Sequence, residues 1–152
     1  MPLPEQDNEL ATIDAEIEGL KSTDAKDVEA YATKYRHLMN KRNDTLNKLR
    51  RKHGIKVEGE GCPEPLFSFP QMIKYFNNSK SLNQTVKACD YTKPTPVQMQ
   101  AMPIIKQRKD AIILAETGSG KSMAFAVPLL ESIKRGSGLK AVVLAPTREL
   151  TI

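Results

Sequence analysis

The sequence predicts an α/β fold with parallel strands, preceded by a charged helical N-terminal extension. Two apolar, β-branched runs, AIILA at 111–115 and AVVLA at 141–145, are typical of buried strands. Between them, residues 123–133 have a helical pattern despite an internal proline. A strand, a helix and a strand over about 35 residues form a βαβ unit, whose crossover is expected to be right-handed.

The net charge of +5 is unevenly distributed along the 152 residues. Residues 1–20 carry six acids and no base, residues 21–53 carry ten Lys or Arg against four acids, and residues 54–152 carry thirteen against eight. Such blocks indicate either acid–base pairing within the chain or separate partners for each arm. The acidic N-terminus is not a secretory signal, so we expect an intracellular protein with reduced thiols at Cys62 and Cys89.

The extension is predicted to contain two helices. A second, longer helix is expected from near Asp24, capped by Ser22 or Thr23, to a stop at Gly54. One set of positions alternates in steps of three and four, which is the seam of a coiled coil. Arg42 and Thr45 interrupt this seam, so we favour a helical hairpin or an extended helix over a stable dimer. The seam comprises Val28, Tyr31, Tyr35, Leu38, Arg42, Thr45 and Leu49. The basic end of this helix, residues 50–53, is either an RNA contact or nuclear signal, or simply a solvated helix end.

The turn after the first predicted strand fits a phosphate-binding loop. Residues 115–122 match the pattern small-x-x-x-x-Gly-Lys-Ser, with alanine where glycine is usual. Gly118 and Gly120 let the backbone curl around an anion, and the following helix adds its positive dipole end. Lys121 would reach the β- and γ-phosphates, and Ser122 would offer a hydroxyl to Mg²⁺. A plain hairpin turn does not explain these residues at a helix entrance.

The stretch YTKPTPVQ at 91–98 suggests a site for the base. Gln98 can donate and accept hydrogen bonds at once, as the N6/N7 edge of adenine requires, and Tyr91 can stack on the base. In isolation this stretch would be a proline-rich turn with a buried glutamine. Its position 23 residues before Lys121 favours adenine recognition.

YTKPTPVQ, AETGSGKS and APTREL, in that order and spacing, resemble the adenine motif, Walker A and motif Ia of DEAD-box ATP-dependent RNA helicases. Phe69 fits the isolated phenylalanine of the family, although its gap to Tyr91 is longer than usual. The long gap, together with the segment HGIKVEGEGCPEPLFSF, resembles the sequences of one DEAD-box subgroup. That subgroup acts in early small-subunit ribosome assembly. The departures are Asp90 where glycine is common and Ser122 where threonine is commoner, and neither threatens ATP binding.

The resemblance implies an incomplete RecA-like P-loop lobe with ATP and Mg²⁺ as cofactors. Tyr91 and Gln98 would select adenine, and Thr95 would tie their loop to the phosphate loop. The phosphate-binding residues would be Thr117, Gly118, Ser119, Gly120, Lys121 and Ser122, with Ser122 also on the metal. The residues gripping the RNA backbone, without sequence choice, would be Pro146, Thr147, Arg148 and Glu149. Further implied features are pre-ribosomal protein partners and a nuclear, nucleolar location. Because the sequence has no run of about 18 apolar residues, we also expect no membrane association.

We divide the chain into a charged helical extension (residues 1–53), a linker or strap (residues 54–70) and a partial ATP-binding lobe (residues 71–152). No Asp-Glu-Ala-Asp stretch follows motif Ia, so no catalytic acid is assigned, and we expect this chain alone to be inactive. In the family fold the two predicted strands are not neighbours, so both would have unpaired edges. The alternative is a non-enzymatic interaction module, or a truncated gene product, that docks on RNA or ribosomal precursors through its basic helix.

Overall fold

The computed structural model describes residues 5–21, 28–133 and 138–148. It separates the chain into two compact units, unit 1 (residues 1–59) and unit 2 (residues 60–152). The three-part division made from the sequence stays a prediction. The helices of unit 1 are α1 (Glu5–Lys21) and α2 (Val28–Lys52). Those of unit 2 are α3 (Phe69–Tyr75), α4 (Lys80–Ala88), α5 (Pro96–Lys106) and α6 (Lys121–Ser132).

Unit 1 is a hairpin of α1 and α2. Ile13 and Ile17 of α1 are buried against Leu38 of α2, as expected for two helices that hide their apolar stripes from water. Helix α2 ends at a left-handed Gly54 (φ +66°), in agreement with the predicted stop. The predicted start of this helix near Asp24 and its cap lie outside the described residues.

The arrangement of unit 2 follows from its caps and its apolar residues. Ser68 and Ser79 begin α3 and α4, and each hydroxyl accepts a hydrogen bond from a backbone N–H of the first turn. The helices then pack around one core, with α5 against α6. The buried members of that core are Phe69, Met72, Phe76, Leu82, Ala101, Met102 and Ala124.

The segment before α3 lies along α5 in an extended conformation. The Leu66 N–H donates to the Met99 carbonyl oxygen (2.8 Å), and Gln100 Nε2 donates to the Pro63 carbonyl oxygen (2.8 Å). Lys109 Nζ donates to the Gly61 carbonyl oxygen. Gln100 Nε2 also donates to Cys62 Sγ (3.3 Å). From here on the name strap is restricted to residues 61–66, because these bonds attach them to α5 and the residues just after it.

The predicted parallel strands are not confirmed. Residues 111–115 and 141–145 are not strands, and within the described residues no backbone hydrogen bond joins either segment to another. Ile113 packs against the core, but its neighbours Ile112 and Leu114 are 93% and 91% exposed, so this segment is not buried on both faces. The physical reason is that a strand requires a paired neighbour, and hydrophobic pattern alone does not supply one.

Among the described helices, none combines the length and the apolar character that crossing a membrane requires.

Candidate nucleotide-binding site

The beginning of α5 fixes the position of Gln98. Thr95 is the residue before the helix and Pro96 its first residue, which suits a helix start because proline has no N–H to leave unpaired. Gln98 Oε1 accepts a hydrogen bond from the Thr95 N–H (3.0 Å). This is one half of a capping box, in which the third helical residue reaches back to the cap.

The other end of the Gln98 carboxamide reaches the loop at 115–122. Gln98 Nε2 donates to the Gly120 carbonyl oxygen (3.3 Å) and lies 3.5 Å from Met123 Sδ. Gln98 is only 5% exposed. Both ends of its amide are therefore used inside the protein, and Gln98 must exchange one of these partners to contact an adenine.

Gly120 is a glycine for two separate reasons. Its backbone is left-handed (φ +86°), a conformation that glycine adopts without steric cost. A Cβ at this position would lie 2.5 Å from Gln98 Nε2 and 3.4 Å from Thr95 Oγ1. Gly118 is also left-handed (φ +80°), but a Cβ there would meet nothing within 4 Å. Close packing thus connects Gly120, and not Gly118, to the YTKPTPVQ stretch.

Lys121 is the first residue of α6 and folds back over the loop that precedes it. Its Nζ donates to the Ala115 carbonyl oxygen (2.7 Å) and to that of Glu116. The Ser119 N–H also donates to the Glu116 carbonyl oxygen (3.3 Å). The carbonyl groups of the loop thus accept hydrogen bonds from the Lys121 ammonium group. To bind Lys121, phosphate oxygens would have to replace these carbonyl oxygens.

Two hydroxyl groups in this region are buried without a hydrogen-bond partner among the described residues, Thr95 Oγ1 and Ser119 Oγ. Leaving such a group unsatisfied costs about 1–3 kcal/mol, so a polar ligand that reaches it gains affinity. The helix start at Lys121 adds N–H groups and a positive dipole end to the same region. Together these features fit a phosphate group.

Tyr91, the residue predicted to stack on the base, is 45% exposed. Its ring stacks on the ring of the buried Phe69, with centroids 6.1 Å apart and 17° between the planes. The preceding Asp90 is left-handed (φ +52°), a conformation that glycine adopts with less steric cost. The structure therefore brings Phe69 and Tyr91 together across the long intervening sequence.

Of the remaining predicted site residues, those that the structure describes are at the surface. Thr117 and Ser122 are exposed on either side of the two glycines. Pro146, Thr147 and Arg148 are exposed after the second apolar run, and Glu149 lies outside the described residues.

Sequence reasoning missed three contributions to this site. The first is Met123, whose sulfur contacts Gln98. The second is the pair of backbone carbonyl groups that hold Lys121. The third is the strap, which is bonded to the helix that carries Gln98. None has a sequence signature, although Gln100, two residues after Gln98, is an unusual polar residue on a buried face.

The comparison with protein families decides the identity of these motifs. The family described as "DEAD/DEAH box helicase" matches residues 95–152, from the cap of α5 through the phosphate loop to the last residues. Residues 95–152 belong to this family. The match begins at Thr95 and includes every predicted phosphate-binding residue.

Curated relatives extend the similarity toward the N-terminus. The "Probable ATP-dependent RNA helicase DDX52" of Rattus norvegicus is 34% identical over 142 residues, covering 92% of this chain and 23% of the relative. The "ATP-dependent RNA helicase ROK1" of Yarrowia lipolytica is 43% identical over 109 residues, covering 67% of this chain and 20% of the relative. A Dictyostelium discoideum protein with the same description as the rat protein is 38% identical over 104 residues, covering 67% of this chain and 16% of the relative. The chain thus spans about a fifth of the length of these relatives, and the resemblance inferred from the three motifs is confirmed.

Proposed function

We propose that unit 2 binds ATP with Mg²⁺ in the region between the start of α5 and the start of α6. The observation that carries this proposal is the Gln98 amide, which bonds the cap at Thr95 and the phosphate-loop carbonyl of Gly120 at the same time. A residue that reads the base is thereby connected to the loop that holds the phosphates. Both motifs then act as one site.

In this proposal each predicted residue has a defined role. Tyr91 stacks on the adenine and Gln98 recognises its N6/N7 edge. The loop from Thr117 to Ser122 wraps the phosphates, because its left-handed glycines and the α6 N-terminus direct N–H groups toward an anion. Lys121 exchanges its hydrogen bonds to the loop carbonyl oxygens for contacts with the β- and γ-phosphates, and Ser122 ligates the metal. Bound Mg²⁺ would neutralise phosphate charge.

The same proposal assigns RNA backbone binding to the exposed turn after 141–145. Pro146, Thr147, Arg148 and Glu149 would hold phosphate and sugar groups, which position a strand without reading its sequence. We further propose that 111–115 and 141–145 are strands of a RecA-like lobe when neighbouring strands pair with them. Their exposed apolar residues, such as Leu144 at 90% exposure, are what an unpaired edge presents.

We infer that the biological role is that of an ATP-dependent RNA helicase in ribosomal RNA processing, in the nucleolus and in contact with pre-ribosomal proteins. The names of the curated relatives support the helicase activity. The 152 residues alone are expected to bind nucleotide without hydrolysing it, because they hold no acidic motif to bind Mg²⁺ and orient water.

The proposal is tested by titrating a fluorescent ATP analogue into the chain with Mg²⁺. Lys121→Ala is expected to weaken binding about tenfold or more, since it removes a full charge from the phosphates. Lys87→Ala, which removes an exposed lysine from α4, is the matched control and should bind like the parent. Equal affinities for Lys121→Ala and the parent, or tighter binding of GTP than of ATP, would contradict the proposed site.

A further inference from the structure

Helix α2 carries a row of exposed cations that the proposed nucleotide site does not use. Lys34, Lys41 and Lys48 are spaced by seven residues, and Arg51 follows one turn later. At about 100° per residue these side chains share one face, drifting by about 20° per seven residues. We call Lys34, Lys41, Lys48 and Arg51 the basic row. All four are exposed, whereas Leu38 on the adjacent face is buried in the hairpin.

Among the described residues of the hairpin, none forms an ion pair with the basic row. Arg42, on the neighbouring face, forms an ion pair with Asp14 of α1. By contrast, the side chains of the basic row make no ion pair or hydrogen bond with any described residue. Of the two explanations for the charge blocks, an outside partner therefore suits the basic row better than internal pairing.

We expect the cations toward the C-terminal half of α2 to contribute most of the positive charge that a partner meets. Glu16 of α1 and Lys34 line the same shallow depression, so an acid offsets the charge at this end. Asp44 lies on the face of the basic row between Lys41 and Lys48 and weakens it locally. The remaining cations, Lys41, Lys48 and Arg51, are the ones expected to contribute most.

We propose that the basic row binds the phosphate backbone of double-stranded RNA, as a second RNA site that needs no nucleotide. From Lys34 to Arg51 the row is about 25 Å long at 1.5 Å per residue, so its cations can reach several phosphates at once. Neutralising phosphates releases condensed counterions, and this supplies affinity without sequence preference. The choice of RNA over DNA rests on the proposed function. The inference that the basic row binds a phosphate backbone rests on its charges alone.

A duplex fits the basic row better than a single strand. Proteins that hold single strands stack the bases on aromatic side chains, and the row contains none. Tyr31 and Tyr35 are half-buried and stack on each other, with centroids 6.2 Å apart, on the side of the hairpin core. An RNA duplex is instead recognised by its shape and its phosphates, which requires only positioned cations.

A protein partner fits less well. The centres of protein interfaces are enriched in aromatic residues and depleted in lysine. The exposed residues flanking the basic row are polar and offer no apolar anchor. They are Thr33, His37, Asn40, Asp44 and Asn47.

The experiment measures binding of the full chain to a fluorescent RNA duplex of about two helical turns, without nucleotide, over a series of KCl concentrations. The test variant carries Lys41→Gln, Lys48→Gln and Arg51→Gln. The matched control carries Arg36→Gln, Lys74→Gln and Lys80→Gln, which remove three exposed cations elsewhere. The test variant is expected to bind about tenfold or more weakly and to flatten the slope of log K against log salt by about one per cation removed. The control should lose less than about twofold.

A fourth variant protects the test against a folding defect. Asp44→Asn removes the acid within the basic row and is expected to strengthen duplex binding severalfold, an effect that misfolding cannot produce. Far-UV circular dichroism verifies the helicity of every variant.

The proposal is overturned if the test variant and the control lose the same affinity, or if Asp44→Asn binds no better than the parent. Tighter binding of poly(U) than of the duplex would overturn the choice of a double strand. Absence of any duplex binding would leave a protein as the partner of this face. None of these results alters the ATP titration, so failure here is distinguishable from failure of the proposed function.

Discussion

At the scale of single residues, Gly120 has no room for a side chain. Gly120→Ala would place a methyl group 2.5 Å from Gln98 Nε2 on a left-handed backbone. We expect it to lower the free energy of unfolding by about 2 kcal/mol or more, since the backbone term alone is about 1–2 kcal/mol. The methyl group of Gly118→Ala would enter open space, so this variant should lose only about 1–2 kcal/mol, the cost of the left-handed backbone. Urea unfolding followed by circular dichroism compares the two, and equal losses would mean that the contact with Gln98 is not close.

Gln98 illustrates what a sequence can and cannot predict about a site residue. Its donor and acceptor groups, and its distance along the chain from Lys121, predict that it recognises adenine, and this role stays a prediction. Its present partners, the Thr95 N–H and the Gly120 carbonyl oxygen, were not predictable. They depend on how α5 packs against α6, which is a contact between segments distant in sequence.

At the scale of elements, the strap is bonded to α5, and Gln100 Nε2 donates both to the Pro63 carbonyl oxygen and to Cys62 Sγ. Gln100→Met keeps the length of the side chain but removes the donor to the Pro63 carbonyl oxygen. We expect amide hydrogen exchange of Leu66, whose N–H bonds the Met99 carbonyl oxygen, to accelerate by about tenfold, equivalent to about 1.4 kcal/mol. Exchange at the parent rate in Gln100→Met would show that the strap is held without this residue.

The hairpin of unit 1 is expected to depend on its apolar seam more than on its ion pair. Ile13 is fully buried, and Ile13→Ala should destabilise the hairpin by about 2–4 kcal/mol. Asp14→Asn removes the partner of Arg42, but the Asp14 side chain is 48% exposed, so the loss should be below about 1 kcal/mol. Thermal unfolding followed by helical ellipticity measures both. A larger loss of stability in Asp14→Asn than in Ile13→Ala would contradict this prediction.

The two helices of the extension and α6 were predictable because their signals are local. The 3.6-residue periodicity and the glycine stop at Gly54 both act within a few residues of the element they define. The apolar runs at 111–115 and 141–145 were predicted as strands from equally local signals, but a strand exists only with a partner. For these two segments the described residues provide none.

At the scale of the whole molecule, the exposed apolar residues around 111–115 are expected to promote self-association. Ile112 and Leu114 face outward, so replacing both with threonine should reduce association while leaving the stability of unit 2 within about 0.5 kcal/mol. Ile113→Thr is the matched control, because Ile113 packs against the core and its loss should destabilise unit 2. Sedimentation velocity and urea unfolding measure the two effects. Unchanged association in the double variant would contradict the prediction.

The central claim is that residues 91–98 and 117–122 form one site for adenine nucleotide, and nuclear magnetic resonance of the backbone amides tests it most directly. On addition of ATP and Mg²⁺, we predict that amide shifts change first at Gly118, Ser119, Gly120 and Lys121, and together with these at Tyr91 and Gln98. GTP should shift the loop amides less and leave Tyr91 and Gln98 unaffected. Loop amides that do not respond to ATP, or that respond equally to both nucleotides, would contradict the claim.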